Sequence, residues 1–215
     1  MVALVEHCVY CFDVLRRHFD PQQEAEPEFK NGSQAYPLFV TWKVQPAHPT
    51  PDDEELRLRG CIGNFNAMPL QSGLEEYALT SALRDRRFAP ITSKEVPWLT
   101  CAVSLLTDFT LGSDYLDWEI GKHGIWIEFR NEHGKRKTAT YLPEIAAEQG
   151  WSKVETIDSL LRKGGYRGHI TETLRASIKL TRYQSSKCAL SYDDYLAYCE
   201  SRDTRPHITR IATCV

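Results

Sequence analysis

The sequence predicts an α+β protein, because segments with the period of a helix and segments with the period of a strand occur along the same chain. Apolar side chains at helical spacing predict helices over residues 3–18 and 152–163. Alternating apolar and polar side chains predict strands over residues 38–44 and 56–63 and a hairpin over residues 118–141. With 215 residues, of which 42% are hydrophobic, the chain is long enough for one sizeable domain or two small ones.

The first predicted helix, residues 3–18, is apolar on one face and carries basic residues 16–18 in its last turn, where the helix dipole favours positive charge. Cys8 and Cys11 stand beside His7, but a structural zinc site needs four ligands, and no second cysteine pair at matching spacing follows downstream. We therefore predict packing cysteines and no metal site.

A loop is predicted over residues 20–36, where proline, asparagine and glycine accumulate. The strand at residues 38–44 follows, with Leu38, Val40 and Trp42 on one face. Residues 46–55 contain three prolines and four acidic residues, so we predict an exposed hairpin loop that leads into the strand at residues 56–63.

Pro69 is placed to open the next helix, whose apolar face is formed by Leu70, Leu74, Tyr77, Ala78, Ser81 and Ala82. Residues 84–87, Arg-Asp-Arg-Arg, are predicted to be a solvated charge cluster. Thr92 and Glu95 have the spacing of a capping box, and the largely apolar residues 98–109 predict a buried strand.

The second half of the chain begins with the predicted hairpin, which turns at residues 131–135. Ser152 and Glu155 form a second capping-box pattern, and Gly164 is placed to end that helix. The other predicted elements are a short helix from Pro143, a strand at residues 177–183 and a helix capped by Ser191.

The stretch from Leu56 to Gly63 is the strongest candidate for a functional site. Read with period 2, one face carries Leu56, Leu58, Gly60 and Ile62, and the other carries Arg57, Arg59, Cys61 and Gly63. A guanidinium roughly 7 Å from the Cys61 sulfur would favour the thiolate by about 2 kcal/mol at an effective dielectric near 20. Gly60 would let a ligand or another backbone come close, and Gly63 is expected in a turn with positive φ.

These residues carry a resemblance to a known family. The run Leu-Arg-Gly-Cys-Ile-Gly at residues 58–63 is joined, in order along the chain, by Leu38-Phe39-Val40-Thr41-Trp42, Arg87-Phe88, His123-Gly124-Ile125, Tyr141-Leu142-Pro143 and Glu148-Gln149-Gly150-Trp151. The sequence resembles the eukaryotic branch of the AMMECR-one domain family over about residues 6–198.

The resemblance implies an α+β domain over residues 1–201, built of two subdomains of antiparallel or mixed sheet with flanking helices. The cleft between the subdomains would be lined by the glycine-cysteine motif, and residues 202–215 would form a frayed tail. Prokaryotic members of the family imply a functional link to Memo-type and radical-SAM proteins. Eukaryotic members imply a nuclear or cytoplasmic location.

Two functions are compatible with these residues, and whether the protein is an enzyme stays open. In one, the cleft binds a small anionic ligand or a peptide through Arg57, Arg59, Gly60 and Gly63, with possible chemistry in which Cys61 is the nucleophile and His123 the base. In the other, the same face is a noncatalytic adaptor surface for a protein partner. A base within hydrogen-bond reach of Cys61 would distinguish an enzyme from an adaptor.

Composition argues against several other classes of protein. The net charge of −3 gives no basic footprint for nucleic acid, so nucleic-acid binding is disfavoured. Seven cysteines at irregular spacing do not form a disulfide framework, and no apolar run reaches the length of a membrane span. We expect an intracellular protein without a membrane segment and without a cofactor.

Overall fold

The computed structural model describes residues 2–45 and 56–203. The hairpin loop predicted at residues 46–55 and nearly all of the tail predicted at residues 202–215 lie outside the described residues. Within them the α+β class is confirmed, with the following elements: α1 Val5–Phe19, β1 Ala35–Val44, β2 Arg57–Pro69, α2 Leu70–Leu83, a 3₁₀ helix Ser93–Trp98, β3 Leu99–Leu111, β4 Gly124–Arg130, β5 Arg136–Tyr141, α3 Pro143–Glu148, α4 Lys153–Lys163, α5 Glu172–Ala176, β6 Lys179–Ser191 and α6 Tyr192–Asp203.

The chain divides into two compact units. The larger unit comprises Ala3–Val103 and Cys188–Val215, and the smaller unit comprises Met1–Val2 and Ser104–Lys187. Strands are hydrogen-bonded in the order β2-β1-β3-β6 in the larger unit and β3-β6-β4-β5 in the smaller unit, so β2 is an edge strand of the larger one.

In the larger unit, α2 covers one face of the antiparallel pair β1 and β2. Leu38, Val40 and Trp42 of β1 are fully buried, as their alternation predicts. The Trp42 indole Nε1 donates a hydrogen bond to the carbonyl of Ala78 in α2 at 3.0 Å, which satisfies its polar atom inside the core. Phe12 of α1 meets the Trp42 ring edge to face, with centroids 5.1 Å apart. The predicted apolar face of α2 is confirmed.

The smaller unit has its own core between the β4–β5 hairpin and α4. Ile125, Ile127 and Phe129 are buried together with Ile157, Leu160 and Leu161 of the helix. The predicted capping box is present: the Ser152 Oγ accepts from Glu155 N, and the Glu155 carboxylate accepts from Ser152 N at 2.8 Å. At the other end, Gly165 follows the helix with a φ of 92°, a conformation that ends helices. Both ends of this helix therefore agree with the local sequence signals.

The elements α5 and β6 are among those that differ from the prediction. The helix α5 was not predicted, because five residues are too few to show a helical period. The strand β6 begins at Lys179 and runs to Ser191, eight residues past the predicted end at residue 183. The prediction ended too early because the second half of the strand is polar and shows no alternation. No helix within the described ranges 2–45 and 56–203 is long and apolar enough to cross a membrane.

Candidate functional site

A bulge in β2 sets the directions of the side chains around Cys61. Trp42 lies opposite Gly60, but Lys43 lies opposite Leu58, so Arg59 is an extra residue without a partner on β1. Cross-strand partners share a face, and Lys43 points opposite to the buried Trp42. Leu58 is therefore on the face of Lys43, turned away from α2, and its side chain is 40% exposed. The prediction that Leu58 belongs to the core face is wrong, because strict alternation does not survive a bulge.

Gly60 faces α2 at a distance that excludes any side chain. A Cβ built on Gly60 would stand 2.0 Å from the carbonyl oxygen of Ser81. Of the two reasons that the sequence offered for this glycine, approach of another backbone is the one observed. The same contact fixes the direction of Cys61, which as the next residue points away from α2.

Gly63 is an ordinary strand residue, so the turn with positive φ predicted there is wrong. The strand continues to Pro69, and the glycines with positive φ in the described residues are Gly121, Gly134, Gly150 and Gly165. A Cβ at Gly63 would stand 2.2 Å from the Leu38 carbonyl oxygen and 2.4 Å from the Phe39 ring. Gly63 is therefore required by the packing of Phe39 across it.

Cys61 and Thr41 form a cross-strand pair. The Thr41 hydroxyl donates to the Cys61 sulfur at 3.1 Å, and the thiol is partly exposed. The Thr41 hydroxyl is a hydrogen-bond donor here, and a hydroxyl is not a general base at neutral pH.

The backbone of Cys61 is held from its other side by Asp85 and Arg87. The Asp85 carboxylate accepts from Cys61 N at 3.0 Å, and the Arg87 Nη2 donates to the Cys61 carbonyl at 3.0 Å. The two side chains also bind each other, with Arg87 Nη2 2.7 Å from Asp85 Oδ2. Because β2 is an edge strand, this Asp85–Arg87 clamp replaces the missing neighbouring strand at one residue.

Asp85 corrects the prediction that residues 84–87 form a solvated cluster, since this carboxylate is only 7% exposed. The hydrogen bonds from the Arg87 guanidinium hold the pKa of the Asp85 carboxyl well below its usual range, and the backbone amides that donate to Asp85 add to this effect. Arg87 keeps 57% of its side chain exposed, and its Nη1 makes no hydrogen bond with the described residues.

The two arginines predicted as partners of the thiol differ in their surroundings. The Arg59 guanidinium binds the Glu95 carboxylate at 2.7 Å and the carbonyls of Ala89 and Pro90. The Arg59 guanidinium is therefore held by the segment at residues 89–95. Arg57 is exposed and lies opposite Val44 at the end of the strand pair.

An apolar surface surrounds the thiol. Phe39 and Phe65 are half-exposed and meet edge to face with centroids 5.2 Å apart. We call this surface the Cys61 face and define it by Phe39, Thr41, Lys43, Leu58, Cys61 and Phe65. Lys43 is partly exposed at its border.

His123, the predicted base, belongs to the smaller unit. It sits directly before β4, and its Nδ1 accepts a hydrogen bond from the backbone of Glu119 at 3.0 Å. Partial burial, and then the neighbouring Lys122, lower the pKa of its imidazole. Its immediate contacts are those of a turn residue.

The sequence missed three residues that hold the site. Thr41 could have been found from the pairing of β1 with β2, but the alternation of residues does not show which residues of two strands are paired. Arg87 belongs to the Arg87-Phe88 motif of the family, but Asp85 carried only the signal of an aspartate two residues before an arginine, and most such pairs are solvated. Among residues 2–45 and 56–203 no group of three or more histidine, cysteine, aspartate or glutamate side chains is arranged to hold a metal ion.

The fold and the site together define a class: α+β proteins in which a glycine-cysteine edge strand is backed by a helix and clamped by an aspartate and an arginine. The AMMECR1 family model matches residues 8–188, and the chain belongs to this family. This confirms the resemblance drawn from the motifs.

Relatives extend over nearly the whole chain. An uncharacterised protein of Arabidopsis thaliana is 52% identical over 197 residues, which cover 91% of this chain and 89% of the relative. An uncharacterised protein of Schizosaccharomyces pombe is 38% identical over 192 residues, covering 89% and 94%. A crystal structure of an uncharacterised protein from Pyrococcus horikoshii has a TM-score of 0.67 at 22% identity and covers 85% of this chain and 89% of its own, which shows a shared fold.

Proposed function

We propose that the Cys61 face binds a short peptide segment of a partner protein, one that carries apolar side chains and a carboxylate. The observation that carries this proposal is the half-exposed apolar group of Phe39, Phe65 and Leu58 beside the thiol. The opposite face of the same strands is closed by α2, so the apolar side chains are held on a rigid support.

Charge at the border defines the partner further. Lys43 lies on the face, and Arg87 beside it is fixed by Asp85 while its Nη1 is unused by the described residues. A guanidinium held in one orientation binds a carboxylate at a small entropic cost. The partner is proposed to be an intracellular protein of the nucleus or cytoplasm, and Memo-type and radical-SAM proteins are the first to test.

The proposal is tested by selecting peptides from a random phage-displayed library on the wild-type protein and measuring affinities of the synthesised peptides by calorimetry. We expect Leu58→Asp to weaken binding at least tenfold, about 1.4 kcal/mol, because it puts a charge in place of an apolar side chain of the Cys61 face. Leu196→Asp is the matched control, since Leu196 lies in the same unit and is likewise 40% exposed. Equal loss in both variants, or no selected peptide, would contradict the proposal.

Thiol chemistry at Cys61 is the second candidate, and it rests on the hydrogen bond from Thr41. Of the described residues, the one that hydrogen-bonds the sulfur is Thr41, and its hydroxyl is no base. Binding is therefore better supported than thiol chemistry. The alternative ligand for the same face is a small anion in place of the peptide.

Brief iodoacetamide labelling with peptide mapping measures the reactivity of the thiol. We expect Cys61 to be alkylated faster than Cys199, a thiol of similar exposure on α6, and Cys101 to be inert because it is fully buried. Thr41→Val keeps the shape but removes the donor, so it should slow the labelling of Cys61 by about threefold to tenfold. If Cys61 reacts no faster than Cys199, the thiol has no special role.

A further inference from the structure

Four cysteines of the larger unit lie together, although they are far apart in sequence. Cys8 and Cys11 come from α1, Cys101 from β3 and Cys188 from β6. The thiols of Cys8, Cys101 and Cys188 lie close enough to shift one another's pKa, as do those of Cys11 and Cys101. The Cys8 sulfur also donates to the Cys188 carbonyl at 3.4 Å. We call these four residues the cysteine cluster.

Exposure differs sharply within the cysteine cluster. Cys8, Cys11 and Cys101 are fully buried, whereas Cys188 is half-exposed at its end. A small oxidant in solution therefore reaches Cys188 first, and the buried Cys8 sulfur, 3.4 Å from the Cys188 carbonyl oxygen, is available for the next step.

We propose that Cys188 and Cys8 are a site of oxidative modification, which hydrogen peroxide converts into a disulfide. In the first step the Cys188 thiolate attacks one oxygen of the peroxide, the O–O bond breaks, and hydroxide leaves, giving a sulfenic acid. In the second step the Cys8 thiolate attacks the Cys188 sulfur, the S–O bond breaks, and hydroxide leaves and is protonated to water. Two thiols lose two electrons in total, which reduce one peroxide.

The surroundings of Cys8 suit the second step. Hydrogen bonds from the thiols of Cys101 and then Cys188 lower the pKa of Cys8, against the effect of its burial. The same contact raises the pKa of Cys188, so at neutral pH the first step is the slow one.

The bond would reinforce an existing contact. It would link α1 to the end of β6, from which α6 starts, and α6 already docks on α1 through the hydrogen bond of Tyr195 to Asp13 at 2.7 Å. A disulfide between residues 8 and 188 closes a long loop, so it restricts the unfolded chain and raises the stability of the oxidised form.

The test treats the purified full-length protein with a small excess of hydrogen peroxide, blocks the remaining thiols by alkylation, and maps peptides without reduction. We expect loss of two thiols per chain, a linked pair of peptides that contain Cys8 and Cys188, a higher thermal midpoint, and reversal of all three changes by dithiothreitol. Fragmentation spectra separate Cys8 from Cys11, which share a tryptic peptide.

Two variants complete the design. Cys188→Ser should abolish the linked pair and the rise in midpoint, and Cys199→Ser, which changes a partly exposed cysteine outside the cluster, should leave both in place. Cys188 oxidised only to sulfinic or sulfonic acid, or linked to Cys199 or Cys61 instead of Cys8, would overturn the proposal. Wild-type mapping decides the matter even if a variant folds poorly.

Discussion

Gly60→Ala is expected to lower the free energy of unfolding by about 3 kcal/mol or more. The added Cβ would stand 2.0 Å from the Ser81 carbonyl oxygen and 3.0 Å from its carbon. Both are main-chain atoms of α2, so no rotamer change relieves the contact, and the helix has to move off the strand. For a chain of this length the thermal midpoint should fall by about 6–12 °C.

Calorimetry or circular dichroism measures this shift, with Gly32→Ala as the matched control. The nearest atoms to a Cβ at Gly32 are side-chain atoms of Phe29 and Gln71 at 3.3–3.4 Å, so that variant should lose less than about 1 kcal/mol. Adding Ser81→Ala to Gly60→Ala should rescue nothing, because the contact is with the backbone. A Gly60→Ala midpoint within about 2 °C of wild type would mean that α2 does not sit against β2 as described.

Asp85→Ala is expected to cost about 2–4 kcal/mol, because it removes a nearly buried acceptor of several hydrogen bonds. It leaves Cys61 N without its partner and frees Arg87, whose Nε donates to Asp85 Oδ1 at 3.0 Å. Asp85→Asn keeps the volume and one acceptor oxygen, so its loss should be about half as large. Urea denaturation at pH 7 measures both.

The control is Glu75→Ala, which breaks a carboxylate–arginine pair in the same unit. The side chains of Arg17 and Glu75 are 39% and 45% exposed, so this variant should lose less than about 1 kcal/mol. Equal losses for Asp85→Ala and Glu75→Ala would contradict the clamp.

The Asp85 effect should also depend on pH with a definite sign. Because the clamp depresses the folded pKa of this carboxyl, its stabilisation is fully present above the unfolded value of about 4 and is lost as the pH falls toward the folded value. The stability difference between wild type and Asp85→Asn should therefore shrink between about pH 4 and pH 2. A difference that stays constant over that range would show that Asp85 is not held as an anion.

The sequence by itself determined the fold class and most elements, because their signals are local. The Ser152–Glu155 capping box fixed the start of α4, and the alternation of Leu38, Val40 and Trp42 fixed the buried face of β1. Such patterns work where one residue sees only its own helix turn or the two faces of its own strand. The family followed from an ordered set of motifs, which needs no geometry.

The tertiary structure alone decided what surrounds Cys61. The bulge at Arg59 places Leu58 on the face opposite to the one that alternation predicts, and the Arg59 guanidinium binds Glu95. The bulge is a feature of the pairing between β2 and β1, so the sequence pattern along β2 alone does not reveal it. The partners of Cys61, Thr41 and Asp85, lie 20 and 24 residues away in the chain. Contacts across such separations depend on how helices and strands pack together, and this packing cannot be inferred from the period of apolar residues within one element.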